Sequence, residues 1–237
     1  VEELPDGVAR FRSLLMFAKR YHQHATIGTE NVPLKGGAIV ALNHSFATYD
    51  GFLPSIDIYE DRGRVPTGLG DNLIFKVPIL GDYARQANIY PASPDNAVNL
   101  LQKGHVVYIS PGGMNEALRP STEAYQIRWE RRKGFVRLSI KAGVPIVLCA
   151  SRASDDIYTV YNSSLTHWAY KTFKLPLAFV RGAGFTLLPR PVKITHVLGE
   201  PIYPPAYDEE TFHAQVDAHH TLVCNAMKSL LAQAPRE

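Results

Sequence analysis

Ala38-Ile39-Val40-Ala41-Leu42, followed at once by Asn43-His44, decides the reading of this chain. The apolar run reads as a buried strand, and its outgoing end carries a histidine. Asp50 follows a few residues later. An imidazole can take a proton near neutral pH, and a nearby carboxylate can fix its tautomer and steady the imidazolium. His44 and Asp50 are six positions apart, which is about 240° on an ideal helix. An unbroken helix would not bring them to one face, so the segment is expected to start as a turn. Side-chain-to-backbone bonds from Asn43 and Ser45 could support such a turn.

A second apolar run, Val106-Val107-Tyr108-Ile109, delivers Ser110-Pro111-Gly112-Gly113-Met114-Asn115-Glu116. Two polar turns after two strands suggest one site at one sheet edge. The glycines allow a tight turn and let a substrate approach the backbone. Further out, Ser93-Pro94-Asp95 starts a helix that stops near Gly104. A helix over 133–142 ends at Gly143, and Val144 to Ala150 is a third strand. More strands are expected near 177–181 and 192–198, with a last helix over 208–233. Leu73 to Gln86, broken by Pro78 and Gly81, reads as an interrupted helix. Strands alternating with helices predict an α/β/α layered domain with a mixed, mostly parallel sheet. Its site belongs at the strands' outgoing edge.

Residues 6–24 form an amphipathic helix. Phe11, Leu14, Leu15 and Tyr21 recur at helical spacing, while Arg10, Arg12, Lys19, Arg20 and His22 make much of the rest basic. Such a helix either packs on the core or lies on a membrane surface. We divide the chain into this N-terminal segment, 1–26, and the α/β domain, 27–237. The stretch 155–190 mixes Tyr158, Tyr161, Trp168, Tyr170, Phe173, Phe179 and Phe185 with Lys171, Lys174 and Arg181. It suits core packing or a membrane-facing rim.

The chain has 237 residues, 46% of them hydrophobic, and a net charge of +3, so its total charge points to no nucleic acid. Arg128, Arg131, Arg132 and Lys133 form a local cluster, either a solvated face or an anion site for cofactor phosphates or lipid headgroups. Two cysteines give no disulfide framework, and Cys149 belongs to a core strand. No apolar run reaches the length of a transmembrane helix, and the first residues lack a secretory pattern. No second histidine stands at metal-ligand spacing to His44, and the adjacent His219 and His220 suit surface positions. Neither Ser45 nor Ser110 sits in a nucleophile elbow, and no phosphate-binding Gly-Lys loop is present.

Taken in order, the Asn-His…Asp block and the Pro111, Gly112, Gly113 and Glu116 block resemble the lysophospholipid acyltransferase-like superfamily. They are closest to its monoacylglycerol- and diacylglycerol-acyltransferase-like branch. Arg132-Lys133-Gly134-Phe135-Val136-Arg137-Leu138 is similar to that branch as well. The His-to-Asp gap is one residue longer than the superfamily's usual four, and Asn115 stands where those relatives often carry an arginine.

The resemblance implies an O-acyltransferase that moves a fatty acyl group from acyl-CoA, or from acyl carrier protein, to a lipid alcohol. His44 would be the base and Asp50 its partner, with no bound cofactor and no metal. Pro111, Gly112, Gly113, Asn115, Glu116, Arg128 and Lys133 would contact substrate. The expected setting is the surface of a membrane, on its cytoplasmic face, held peripherally. The same His-Asp pair could activate water in a thioesterase, and a lipid-binding protein without turnover is the other alternative.

Overall fold

In a computed structural model, residues 6–70, 75–76, 78–86, 88–163, 172 and 178–236 are described. The chain opens with helix α1 (Asp6–Tyr21), strand β1 (Ala25–Ile27) and strand β2 (Ala38–Leu42). A single 3₁₀ turn, Tyr49–Phe52, leads to α2 (Pro54–Arg62). Then come β3 (Thr67–Gly70), α3 (Pro78–Gln86), β4 (Ile89–Pro91), α4 (Pro94–Gln102), β5 (Val106–Ile109) and the short α5 (Gly113–Ala117). The remainder comprises α6 (Gly134–Ala142), β6 (Ile146–Ala150), β7 (Thr159–Val160), β8 (Val180–Arg181), β9 (Thr195–Leu198) and α7 (Phe212–Gln233).

Among the described residues, seven strands form one sheet in the order β1-β9-β6-β2-β5-β3-β4. From β6 to β4 every pairing is parallel. β9 runs antiparallel to β6 and parallel to β1. β2 pairs with β5 on one side and β6 on the other, so the chain crosses over β2 between those two strands. That reversal opens a crevice at the outgoing ends, where α/β folds place their ligands.

Alternation along the strands builds two cores. Ile39 and Ala41 face Leu101 of α4, Phe135, Val136 and Ile140 of α6, and Val223, Met227 and Leu231 of α7. Val40 and Leu42 belong to the opposite core, with Tyr108, Val147, Cys149 and Ile58 of α2. Helices on both faces of the sheet give the α/β/α layering read from the sequence. Leu15 of α1 joins a third cluster with Leu53, Ile56, Ile157 and Ile194, and Arg12 pairs with Glu60 of α2 at 2.6 Å. Leu14 and Phe17 of the same helix remain exposed.

Local signals account for several boundaries. Ser93 Oγ accepts from the Asn96 N–H at 3.1 Å, capping α4. Gly143, at φ +65°, ends α6 in the left-handed region. Other expectations are corrected. Residues 75–76 are helical as well, and α3, from Pro78, runs through Gly81 without a break; residues 71–74 and 77 lie outside the described residues. The strand expected near 177–181 is only β8, which pairs with β7 in a separate two-stranded ribbon. His22 does not belong to a basic face. It is fully buried, its Nδ1 donates to the Val192 carbonyl at 2.9 Å, and burial lowers its pKa.

His219 and His220 are buried, not on the surface. They continue the stripe Val216, Val223, Cys224, Met227 and Leu231, at the third and fourth positions after Val216. His220 Nε2 also reaches the Trp129 carbonyl at 2.9 Å. The buried arc of α7, which packs on both β6 and α6, takes in both neighbours.

Candidate active site

Strand register brings the two sequence blocks together. Ala41 is level with Ile109 of β5, and Leu42 with Cys149 of β6. The residues just past β2 therefore lie between Ser110-Pro111 on one side and Ser151 on the other. The Asn43 amide closes a two-bond bridge to the Ser151 backbone, with its Nδ2 donating at 3.0 Å and its Oδ1 accepting at 2.9 Å. Asn43 thus ties two strand ends together rather than bonding its own turn, and Ser45 likewise turns its hydroxyl elsewhere.

His44 follows this bridge. Its Nδ1 lies 2.9 Å from the carbonyl oxygen of Ser45. A carbonyl only accepts, so the neutral ring keeps its proton on Nδ1 and its lone pair on Nε2. The Ser45 carbonyl, not Asp50, therefore sets the tautomer. Asp50 is buried, and its Oδ1 accepts from Ser45 Oγ at 2.8 Å. Asp50 acts on the imidazole through its charge. Burial lowers the His44 pKa, the Asp50 carboxylate opposes that shift, and the Arg119 guanidinium adds to it. The net result is a ring that is neutral at pH 7 and able to accept a proton.

The turn holding Asp50 is fastened to the residue just after the N-terminal helix. The Tyr49 hydroxyl donates to Nε2 of His22 at 2.6 Å. Thr48 sits at φ +60°, a conformation that a β-branched residue resists.

The second block packs beside the first. Pro111 and Gly112 are buried, and Gly113 turns at φ +52°. The Glu116 carboxylate is buried and accepts from two backbone groups, His44 N–H at 2.7 Å and Arg128 N–H at 2.8 Å. Asn115 is exposed, and its carbonyl accepts from Arg128 Nη1 at 3.1 Å.

The expected substrate contacts separate here. His44, Asp50, the Pro-Gly-Gly turn, Glu116 and the backbone of Arg128 come together. Arg128 directs Nη2 to Glu123 at 2.6 Å. Lys133 stands apart, paired with Asp217 of α7 at 2.8 Å.

Two features escaped the sequence reading. Ser45, read only as a turn-supporting residue, bridges His44 and Asp50 instead. Arg119 and Asp155 form a buried pair, with Nη2 2.7 Å and 2.5 Å from the two carboxylate oxygens. They lie 36 residues apart and left no pattern. Among the described residues, no cluster of histidine, cysteine and carboxylate side chains could hold a metal ion.

The diacylglycerol acyltransferase family model matches residues 67–235, most of the chain. The chain belongs to that family. It is 31% identical over 224 residues to the Bos taurus protein named "DGAT1/2-independent enzyme synthesizing storage lipids", covering 89% of this chain and 64% of that one. The Homo sapiens protein of the same name is 30% identical, with 89% of this chain and 66% of that one covered. The chain thus spans just under two thirds of the length of these relatives. In fold it is similar to the crystal structure of the 1-acyl-sn-glycerophosphate acyltransferase PlsC from Thermotoga maritima. The TM-score is 0.55 at 16% identity, covering 94% of this chain and 80% of that one. Family and fold together place the chain in the acyltransferase superfamily that its two blocks resemble.

Proposed function

We propose that the chain transfers a fatty acyl group from an acyl thioester, acyl-CoA, to the hydroxyl of a neutral lipid alcohol at a membrane surface. The observation that carries this reading is the His44 ring. Its proton is held on Nδ1 by the Ser45 carbonyl, which leaves the Nε2 lone pair as the base, and the buried Asp50 carboxylate acts on the ring through its charge. Nε2 takes the proton of the acceptor hydroxyl as that oxygen attacks the thioester carbonyl carbon. When the tetrahedral intermediate collapses, the C–S bond breaks and the imidazolium returns its proton to the leaving sulfur, giving free thiol and ester. The Asp50 charge steadies the imidazolium between the two transfers. A covalent acyl-enzyme is not required.

Charge matching supports a neutral acceptor. Beside the turn, Arg119 pairs with Asp155 and Arg128 with Glu123, and Lys133, farther off, pairs with Asp217. Asn115 adds no cation. The relatives' name, referring to storage lipids, agrees with an uncharged glycerolipid such as mono- or diacylglycerol.

Peripheral membrane attachment is supported by the exposed Leu14 and Phe17 on α1 and by Phe185, Leu187 and Leu188 in the loop after β8. The Tyr21 hydroxyl joins the two regions by donating to the Pro189 carbonyl at 2.6 Å. No helix among the described residues is long and apolar enough to cross a membrane.

The test is a competition assay with acyl-CoA and equal amounts of monoacylglycerol and lysophosphatidic acid. Ester formation on the neutral acceptor is expected. Preference for the phosphorylated acceptor overturns the acceptor assignment, and thioester hydrolysis without ester product overturns transfer.

A further inference from the structure

We infer that Glu116 is a positioning residue, which holds the backbone of His44 against the Pro-Gly-Gly turn and the following loop and does not contact substrate. The side chain is 1% exposed, and each carboxylate oxygen is committed to a peptide N–H. One carboxylate therefore joins three segments: the end of β2, the turn after β5 and the loop that reaches Arg128. Charged acceptors make the stronger class of hydrogen bond, which suits a brace between separate pieces of chain.

The glycine before the helix is explained by the same brace. A Cβ at Gly112 would sit 2.1 Å from Glu116 Oε2 and 2.5 Å from Glu116 Cβ. Any side chain there would push the carboxylate off its two donors. Gly112 is needed to admit Glu116.

The far end of the brace is anchored in turn. Arg119 Nη1 donates to the Gln126 carbonyl at 2.5 Å, and the Asp155 carboxylate accepts from the Tyr125 N–H at 2.6 Å. These bonds set the path of residues 125–128 and so aim the Arg128 N–H. With its peptide N–H held by Glu116 and its Nδ1 held by the Ser45 carbonyl, His44 has two fixed points, and the direction of Nε2 follows from them.

The charges facing Glu116 come from every segment packed on it. Burial pushes its carboxyl up to about 7; the Arg128 and His44 N–H groups and the Arg119 guanidinium pull it down, and the Asp155 carboxylate pushes it up again. Ionised, it accepts both N–H groups at full strength; protonated, one oxygen becomes a donor and the brace weakens. Turnover should therefore rise as pH climbs through about 7. Burial holds the His44 pKa below its ordinary 6.5, so the ring titrates on the acid side of that step.

The inference rests on His44 being the base, and the experiment separates the two claims. Steady-state kinetics are measured from about pH 5.5 to about pH 9 for the parent, Glu116→Gln, Gly112→Ala and His44→Ala. An amide can accept only one of the two N–H groups. Glu116→Gln is expected to lower kcat by about 10- to 100-fold, to hold both KM values within about threefold, and to lose the ionisation near neutrality. Gly112→Ala is expected to give the same kcat loss. An acceptor KM raised about tenfold with kcat retained overturns the inference in favour of a substrate contact. An ionisation near neutrality that persists in Glu116→Gln overturns it as well. Where a variant does not fold, the parent profile decides: no ionisation near neutrality overturns the proposal. Undiminished turnover in His44→Ala instead removes the base assignment beneath it.

Discussion

Ser45 donates its hydroxyl to Asp50 Oδ1 at 2.8 Å while its own carbonyl accepts from His44 Nδ1. A single residue thus stands between the imidazole and its carboxylate. Asp50→Asn should lower turnover by about 10- to 100-fold, because an amide carries no charge to steady the imidazolium. Ser45→Ala should cost about tenfold, the equivalent of one charge-assisted hydrogen bond, since the carbonyl that sets the tautomer survives. Single-turnover rates with saturating acyl-CoA measure both. A Ser45→Ala loss larger than that of Asp50→Asn would contradict the order proposed.

His44→Ala should reduce acyl transfer by about 10²- to 10⁴-fold, the usual contribution of a general base. The half-buried ring fills little of the main core, so far-UV circular dichroism and the melting midpoint should stay close to the parent's. Turnover within about threefold of the parent would remove His44 from the chemistry.

Asn43→Ala should act on stability first. Both bonds to the Ser151 backbone vanish, and a buried N–H and carbonyl lose their partners. The expected loss is about 2–4 kcal/mol, at about 1–3 kcal/mol per orphaned group with partial relief by water. The urea midpoint reads it, with an unchanged m-value. A midpoint equal to the parent's would show that the strand ends do not depend on this bridge.

A second pH response is expected in stability. His24 Nε2 and His196 Nδ1 lie 3.0 Å apart in a buried site beside Lys19 and Asp57, and burial lowers both pKa values to about 3. The unfolded chain protonates these rings near their ordinary value of 6.5, so below that pH it binds more protons than the folded chain. The contribution of this pair should be full above pH 6.5 and be lost as pH drops toward 3, with each ring adding a slope approaching about 1.4 kcal/mol per pH unit. Urea titrations at stepped pH measure the slope, and His196→Gln should flatten it.

Vesicle binding should depend on both exposed regions. Phe185, 94% exposed with the Arg181 guanidinium 5.5 Å from its ring centre, joins an apolar tip to a cation, a pairing that would suit a lipid surface. Phe185→Ser and Phe17→Ser should each weaken co-sedimentation with anionic vesicles. Salt should weaken it further, because exposed charges are screened over about 10 Å at 0.1 M. Equal binding by parent and both variants would place the contact elsewhere. Trp168, Tyr170, Phe173, Lys171 and Lys174 of the aromatic stretch lie outside the described residues.

The order of apolar runs and polar turns by itself determined the layered α/β architecture, the strands β2, β5 and β6, the Ser93 cap and the pairing of two blocks at one edge. Those features depend on local periodicity and turn chemistry, which neighbouring residues carry. The short strands β3 and β4 were hidden because glycines, a proline and only three or four residues give no period to read. The buried setting of His22, His219 and His220 was hidden for a different reason: a polar residue's burial depends on a partner far away in the chain. At the site, sequence supplied His44, Asp50 and Glu116, while the tertiary structure decided how they connect. It gave the tautomer bond to the Ser45 carbonyl, spent the Glu116 carboxylate on two peptide N–H groups and matched Arg128 and Lys133 with carboxylates. Hydrogen-bond partners and charge pairs are set by positions in space, and residues 72 or 84 apart meet there only because the sheet has brought their strands and helices together.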